Sequence, residues 1–253
     1  MVKVLWFLGV PKHLTLEEFE TWYLRTHTVI AKGMGGIRRY AINRALRRQP
    51  AFSRQDTLLT HRIAEVWWDS VRAVETCFNS PGGLADLGDG LSHMGLGGDV
   101  LPVTLFVVEE EFPVSEPVGF NLTSGTYLGR DFLVKLFGFF RLPQEADLGD
   151  WYPEEANRIG RLPGLRKHIY GRVSREAVRI GRTITWPPGG KPAYDRVIEL
   201  YFDSVEAIDM AFLSPQGKRV LEGFTQKGLQ IDWVAMRNQE LFFSQEANQP
   251  LEE

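Results

Sequence analysis

Trp67 to Gly83 reads WWDSVRAVETCFNSPGG, and Tyr201 to Gly217 reads YFDSVEAIDMAFLSPQG. Aligned without a gap, eight of the 17 positions are identical, among them Asp69/Asp203, Ser70/Ser204, Phe78/Phe212, Pro81/Pro215 and Gly83/Gly217. Further blocks follow in the same order. Lys3-Val4-Leu5 matches Lys135-Leu136-Phe137, Trp22-Tyr23 matches Trp151-Tyr152, and Gly36 to Arg39 matches Gly164 to Lys167. A repeat this long means that the chain folds as two copies of one unit. The joint falls within Pro113 to Arg130, which is rich in Pro, Gly and Ser and has no clear period. The expected division is a first unit over 1–113, a linker over 114–130, a second unit over 131–245 and a tail over 246–253.

Each copy reads β-α-β-β-α-β. In the first, Val2 to Gly9 is β-branched and aromatic, hence a strand. Thr15-x-x-Glu18 is a capping box that starts a helix at Leu16. Phe19, Tyr23, His27 and Ile30 then mark one helical face, and Gly33, Gly35 and Gly36 end it. Ile37–Leu46 and Thr60–Trp68 are strands. Asp69 or Ser70 caps a second helix, Pro81-Gly82-Gly83 interrupts it, and Leu84 to His93 reads as a further helical stretch. Leu101–Phe112 is the fourth strand. The second copy reads Phe132–Phe140, Asp147–Arg161, Leu165–Arg175, Tyr194–Phe202, Ser204–Phe224 and Trp233–Phe243. The fold class is α+β: two tandem ferredoxin-like units. Each unit's open sheet face is apolar and needs a cover. The two sheets can face each other as a pseudo-dimeric barrel with helices outside and a small-molecule pocket between the sheets.

Composition excludes some functions. A net charge of −3 and a pI near 6.0 argue against a nucleic-acid binder that grips phosphates. Arg44, Arg47, Arg48 and Arg54 read as a solvated loop. Cys77 stands alone and can form no intrachain disulfide. No apolar run approaches the ~20 residues of a membrane span, and the N-terminus reads as a strand, not a signal peptide. The expectation is a soluble, cytoplasmic protein with no membrane or nucleic-acid partner.

The stretch from Glu17 to Asn43 carries E-E-F-x-x-W-Y-x-x-x-H-x-x-x-A, then G-x-R-R-Y-x-x-N. It resembles the EthD-type branch of the dimeric α+β barrel proteins. Most members are single units that dimerise, and this chain resembles two of them fused, the second degenerate. The superfamily includes lactone isomerases, polyketide cyclases and decarboxylases, cofactor-free oxygenases, haem-degrading enzymes and proteins of unknown role. In the related methylmuconolactone isomerases a helix histidine and a second-strand tyrosine line the cavity. The resemblance carries those roles to His27 and Tyr40.

Imidazole takes and returns a proton near neutral pH, which suits isomerisation, cyclisation or decarboxylation without a cofactor. Tyr40 can donate to a developing oxyanion. Asn43, three residues on, faces the other side of a regular strand. One of Arg38 and Arg39 could clamp a carboxylate. Tyr23, Trp22 and Trp67 could pack on an aromatic substrate, though large aromatics are more often core. His168 stands where Tyr40 stands in the first copy. The position of His27 falls on Ala156 or on Glu155, because one residue is missing between the flanking anchors. Asp89-x-x-x-His93 is a helical i, i+4 pair without a third ligand at metal spacing. The expected function is a cofactor-independent lyase, isomerase or cyclase acting on a small aromatic or lactone-like metabolite. A haem- or oxygen-using monooxygenase-like role and a non-catalytic binding or stress role are the alternatives. Fusion satisfies the pairing of units internally and leaves a homodimer of pseudo-dimers optional.

Overall fold

A computed structural model describes residues 1–53, 60–94, 104–115, 133–143, 151–181, 184–186 and 192–243. Eight strands close into one antiparallel barrel: β1 (Val2–Leu8), β2 (Arg39–Ala45), β3 (Arg62–Trp68), β4 (Thr104–Phe112), β5 (Val134–Phe140), β6 (Lys167–Val173), β9 (Arg196–Phe202) and β10 (Ile231–Phe243). Their order is β1-β3-β2-β10-β5-β9-β6-β4. Each half supplies four consecutive members, β4-β1-β3-β2 and β10-β5-β9-β6. The seams are β2·β10 and β4·β6, where the second strand of one half meets the last strand of the other. Closure removes the two sheet edges that each unit would expose alone. The strand sets fall within 1–113 and 131–245. The linker beyond Ser115 and the tail lie outside the described residues.

Helices cover the barrel from outside. In the first half they are α1 (Leu16–Trp22), α2 (Thr28–Lys32), α3 (Val71–Phe78) and α4 (Pro81–Met94). In the second half they are α5 (Trp151–Ile159), α6 (Val205–Leu213) and α7 (Pro215–Gln226). The predicted capping box at Thr15 forms with both of its hydrogen bonds. Ser70 and Ser204 cap α3 and α6 alike, each hydroxyl accepting from the N–H three residues on. Ser204 to Phe224, read as one helix, is two: Ser214 caps α7 and Pro215 opens it. A short hairpin, β7 (Val178–Ile180) with β8 (Ile184–Trp186), gives no clear sequence signal. It lies in the β6–β9 connection and leans on the first half, where the Asn79 amide donates to the Arg179 carbonyl at 2.8 Å. The opposite connection, β2–β3, returns the embrace. Phe52 packs on Phe212 and Trp233, and Arg48 pairs with Glu206 and Asp209.

The repeated glycine–basic turn serves this frame. Gly36 and Gly164 adopt φ of 76° and 71°, which side chains with a Cβ rarely tolerate. Arg38 then clamps Asp69 and Arg166 clamps Asp203, both at 2.6 Å. The carboxylate that Arg38 holds is therefore the protein's own. A second repeated glycine allows close packing. A Cβ on Gly83 would lie 2.1 Å from the Cys77 carbonyl oxygen, and one on Gly217 2.3 Å from that of Ala211. Gly83→Ala is expected to cost about 1–3 kcal/mol through overpacking. Chemical denaturation checks this, and a change within about 0.5 kcal/mol would contradict it.

Alternation along the strands sorts side chains into two populations. Residues such as Val4, Tyr40, Val66 and Phe106 face the first helical layer. Leu136, Tyr170, Ile198 and Leu200 face the second. The other face fills the barrel with Leu5, Phe7, Ile63, Leu105, Phe137, Phe139, Val197 and Val234, as expected when eight strands enclose space for little more than side chains. Lys3, Lys135, Glu65 and Glu199 are buried with them. The space between the sheets, expected as a pocket, is packed at these residues.

Candidate active site

α1 does not run on as a plain α-helix. Tyr23–His27 forms a π-turn, in which the Thr28 N–H reaches the Tyr23 carbonyl five residues back. A π-turn is a one-residue insertion into an α-helix and is common at functional sites. It rotates the buried face by one position. Phe19 is buried before it, Tyr23 at its first residue, Thr28 and Ala31 after it, and Ile30 is only half-buried. The single face read through Phe19, Tyr23, His27 and Ile30 is corrected accordingly. The second half lacks the turn, since α5 is α-helical throughout. The residue missing there between Trp151 and Gly164 is this insertion.

The turn presents His27 to α4. Its Nδ1–H donates to Asp89 Oδ2 at 3.0 Å, and Asp86 Oδ1 lies 3.8 Å from the same nitrogen. The Trp22 indole N–H also donates to Asp89, at 3.1 Å. His93 stacks on Trp22 with centroids 4.6 Å apart, and its Nδ1 donates to the Asp89 carbonyl. Two donors thus fix the Asp89 carboxylate, and the carboxylate fixes the imidazole tautomer. The Nε2 of His27 makes no hydrogen bond among the described residues. The His27 side chain is 16% exposed, so solvent reaches it.

Behind His27 lie two phenols. The Tyr23 and Tyr40 hydroxyls are 3.1 Å apart and fully buried. Burial pushes Tyr23 up to about 12 and Tyr40 well above its usual range, so both are neutral donors. The Tyr23 ring centre lies 5.4 Å from that of His27.

The residues expected to form one site divide between three places. His27, Tyr40, Tyr23 and Trp22 lie together under the first helical layer, outside the barrel. Asn43, Arg39 and Trp67 point into it, because β2 and β3 pair in regular register through Arg39↔Trp67 and Asn43↔Ile63. There Asn43 donates to Glu65 at 2.7 Å, Arg39 lies 4.4 Å over the Trp67 ring, and the Trp67 indole donates to Glu109. These three belong to the barrel's buried charge network. His168 sits under the second helical layer, 2.8 Å from the Tyr152 hydroxyl.

The second half has dismantled the arrangement. The offset that pairs Pro81 with Pro215 pairs Asp86 with Val220 and Asp89 with Gly223. Glu155 is buried against Gly223, where a Cβ would lie 2.7 Å from its Oε2. The His27–Asp89 pair is therefore replaced by Glu155 on a bare glycine. Sequence reasoning does not bring Asp86 and Asp89 to the candidate site. Their signal was present, since Asp86, Asp89 and His93 share one face of the helical stretch after the Pro-Gly-Gly break.

Burial lowers His168 from 6.5 to about 3, so it stays neutral in the fold. An unfolded chain protonates it near 6.5. Its contribution is present above that pH and is lost as pH falls toward 3. Relative to His168→Gln, the wild type should lose roughly 1 kcal/mol per pH unit over that window. Urea titrations at several pH values check this, and parallel pH dependences would contradict it.

The EthD domain model matches residues 11–91. Two solved structures share the overall fold at low identity. One is an anthrone oxidase-like protein, 13% identical, with 94% of this chain and 92% of that one covered at a TM-score of 0.59. The other is a candidate monooxygenase from Fusobacterium nucleatum subsp. nucleatum ATCC 25586, 7% identical, with 96% and 93% covered at 0.55. Among curated proteins nothing matches the chain. No helix among the described residues is long and apolar enough to cross a membrane.

Proposed function

We propose that this chain, an EthD-type unit fused to a degenerate copy, is an acid–base enzyme for a small aromatic or lactone-like metabolite, working through His27. The observation that carries this reading is the 3.0 Å contact of His27 Nδ1 with the Asp89 carboxylate, which as an acceptor calls for the Nδ1–H tautomer. With Nδ1–H held by Asp89, Nε2 is left as a base at a partly open position, and only the first half keeps that arrangement. Nε2 takes a proton from an acidic substrate carbon and returns it at another position, which is isomerisation, or leaves a carbanion for cyclisation or elimination. Asp89 stabilises the imidazolium formed in between, as the orienting carboxylate does in other histidine-based sites. Tyr23 and Tyr40 stay neutral beside His27, and a neutral phenol can donate to a developing oxyanion. Trp22 and Tyr23 form the aromatic flank.

A second reading shares the first step. The full-length structural relatives are named for an oxidase-like protein and a monooxygenase. A carbanion formed by His27 from an anthrone-like substrate can instead react with dioxygen, giving the quinone and water. Two probes separate the readings. Anthrone is followed by deuterium exchange and by oxygen uptake, and α-angelica lactone by double-bond shift under argon. Proton exchange or lactone isomerisation without oxygen uptake supports the first reading. Stoichiometric oxygen uptake with quinone formation supports the second. Activity on either probe that persists in His27→Gln would sink both.

A further inference from the structure

Asp86 lies one turn before Asp89 on α4 and is 7% exposed. Its Oδ1 accepts no hydrogen bond among the described residues, although it lies 3.8 Å from His27 Nδ1. A buried carboxyl oxygen without a donor is costly, and the acid–base step as described does not use it. The groups that face Asp86 come from four elements: Tyr23 and His27 on the π-turn, Tyr40 on β2, Cys77 on α3 and Asp89 on its own helix. Burial keeps the two phenols protonated and pushes the Cys77 thiol up to about 11, so these three stay neutral near pH 7. Asp89 is already committed to His27 and Trp22. His27 is the group that changes charge in turnover.

We propose that Asp86 is a positioning carboxyl whose negative charge offsets the charge His27 acquires when Nε2 takes a proton from substrate. The role rests on the acid–base reading of His27. The proton leaves the substrate carbon and enters Nε2, Nδ1–H stays on Asp89, and Asp86 remains an anion throughout. Asp86 works by field and not by transfer, and at this distance in a buried setting that field is strong. Burial, and after it the neighbouring Asp89, raise Asp86 to about 6, with His27 opposing them. Its charge is therefore present at neutral pH and disappears in mild acid. In the second half Val220 takes the corresponding place, where no imidazole needs balancing.

Two measurements test this. The first needs no substrate. Carbon-13 NMR of the Asp86 carboxyl is followed through a pH titration in wild type and in His27→Gln. Removing the imidazole that opposes the rise of Asp86 should move the midpoint upward by about one pH unit, and an unmoved midpoint would overturn the coupling. The second is anthrone deuterium exchange by wild type, Asp86→Asn and Asp86→Glu. Asp86→Asn should lower kcat about tenfold at about pH 8 with little change in KM, and the gap should close to about twofold by about pH 5, where wild-type Asp86 is itself neutral. Asp86→Glu should recover most of the rate. A wild-type to Asp86→Asn ratio constant across pH would mean a merely structural residue and would overturn the proposal. If wild type exchanges no proton, the acid–base reading and this role fail together, whereas an unmoved carboxyl midpoint beside normal wild-type exchange removes Asp86 alone.

Discussion

Replacing His27 with glutamine is expected to lower turnover by about 100- to 10,000-fold, the usual worth of a positioned general acid–base group. Stability should change little, because the side chain is partly solvated and its Nε2 has no partner to lose among the described residues. Glutamine can still donate to Asp89 but cannot accept and return a proton at neutral pH, so the loss should fall on kcat more than on KM. Asp89→Asn should act in the same direction and less strongly, since the imidazole would keep its place and lose its fixed tautomer. Steady-state kinetics with either probe decide the point. Near-normal turnover in His27→Gln would show that the chemistry lies elsewhere.

The second large effect concerns stability, and its seat is the middle of the barrel. Lys3 contacts Glu65 at 2.9 Å, Glu109 at 2.5 Å and also Glu199. Lys135 contacts Glu65 and, at 3.2 Å, Glu199. Lys3 thus touches two glutamates of its own half and one of the other, and Lys135 one of each, so the network ties the two units across the barrel. Burial alone would discharge these groups. It is outweighed by the neighbouring glutamates, which hold Lys3 above its usual range, and by Lys135 and Lys3, which hold Glu65 well below its own. Lys3→Met leaves Glu65, Glu109 and Glu199 facing one remaining lysine, and should cost about 3–5 kcal/mol. Replacing Lys3, Lys135, Glu65, Glu109 and Glu199 together by Met and Leu should be close to neutral, or stabilising by about 1–4 kcal/mol, because none of these charges is then left without its partner. The pH dependence has a definite sign. Glu65 contributes above its unfolded value of 4.5 and loses that contribution as pH falls through its lower folded value. Lys3 contributes below 10.5 and loses it as pH rises through its higher folded value. Urea denaturation measures all of this, and a Lys3→Met loss within about 0.5 kcal/mol would show that the contacts matter little.

The repeat made the fold legible. Serine caps, the glycine–basic turn and the Pro-Gly helix break recur because each carries a backbone requirement; the first-half break is read from the sequence, whereas its second-half copy at Pro215 is seen only in the structure. The barrel network was visible in part. Lys3 and Lys135 hold equivalent strand positions, as do Glu65 and Glu199, and charges kept inside two apolar strands imply partners. Their pairing across the halves depends on barrel closure, which strand pattern alone does not encode. The candidate site was legible less directly. His27 and Tyr40 were found by resemblance, but they lie under the helices and not between the sheets. The reason is strand alternation, which sends Tyr40 outward and Asn43 inward. The second copy is one residue shorter between its anchors, and the meaning of that residue as a π-turn appears only when the helix is built. Asp86 and Asp89 come from a glycine-rich helix whose polar face shows no need for a partner until His27 is set against it.

The central claim is that chemistry belongs to the His27 side of the first half, and nitrogen-15 NMR of the histidine side chains during titration with a soluble naphthol tests it most directly. Free His27 should show the Nδ1–H tautomer, and the ligand should shift its Nε2 resonance while His168 is unmoved. Shifts at His168 with His27 unchanged would contradict it.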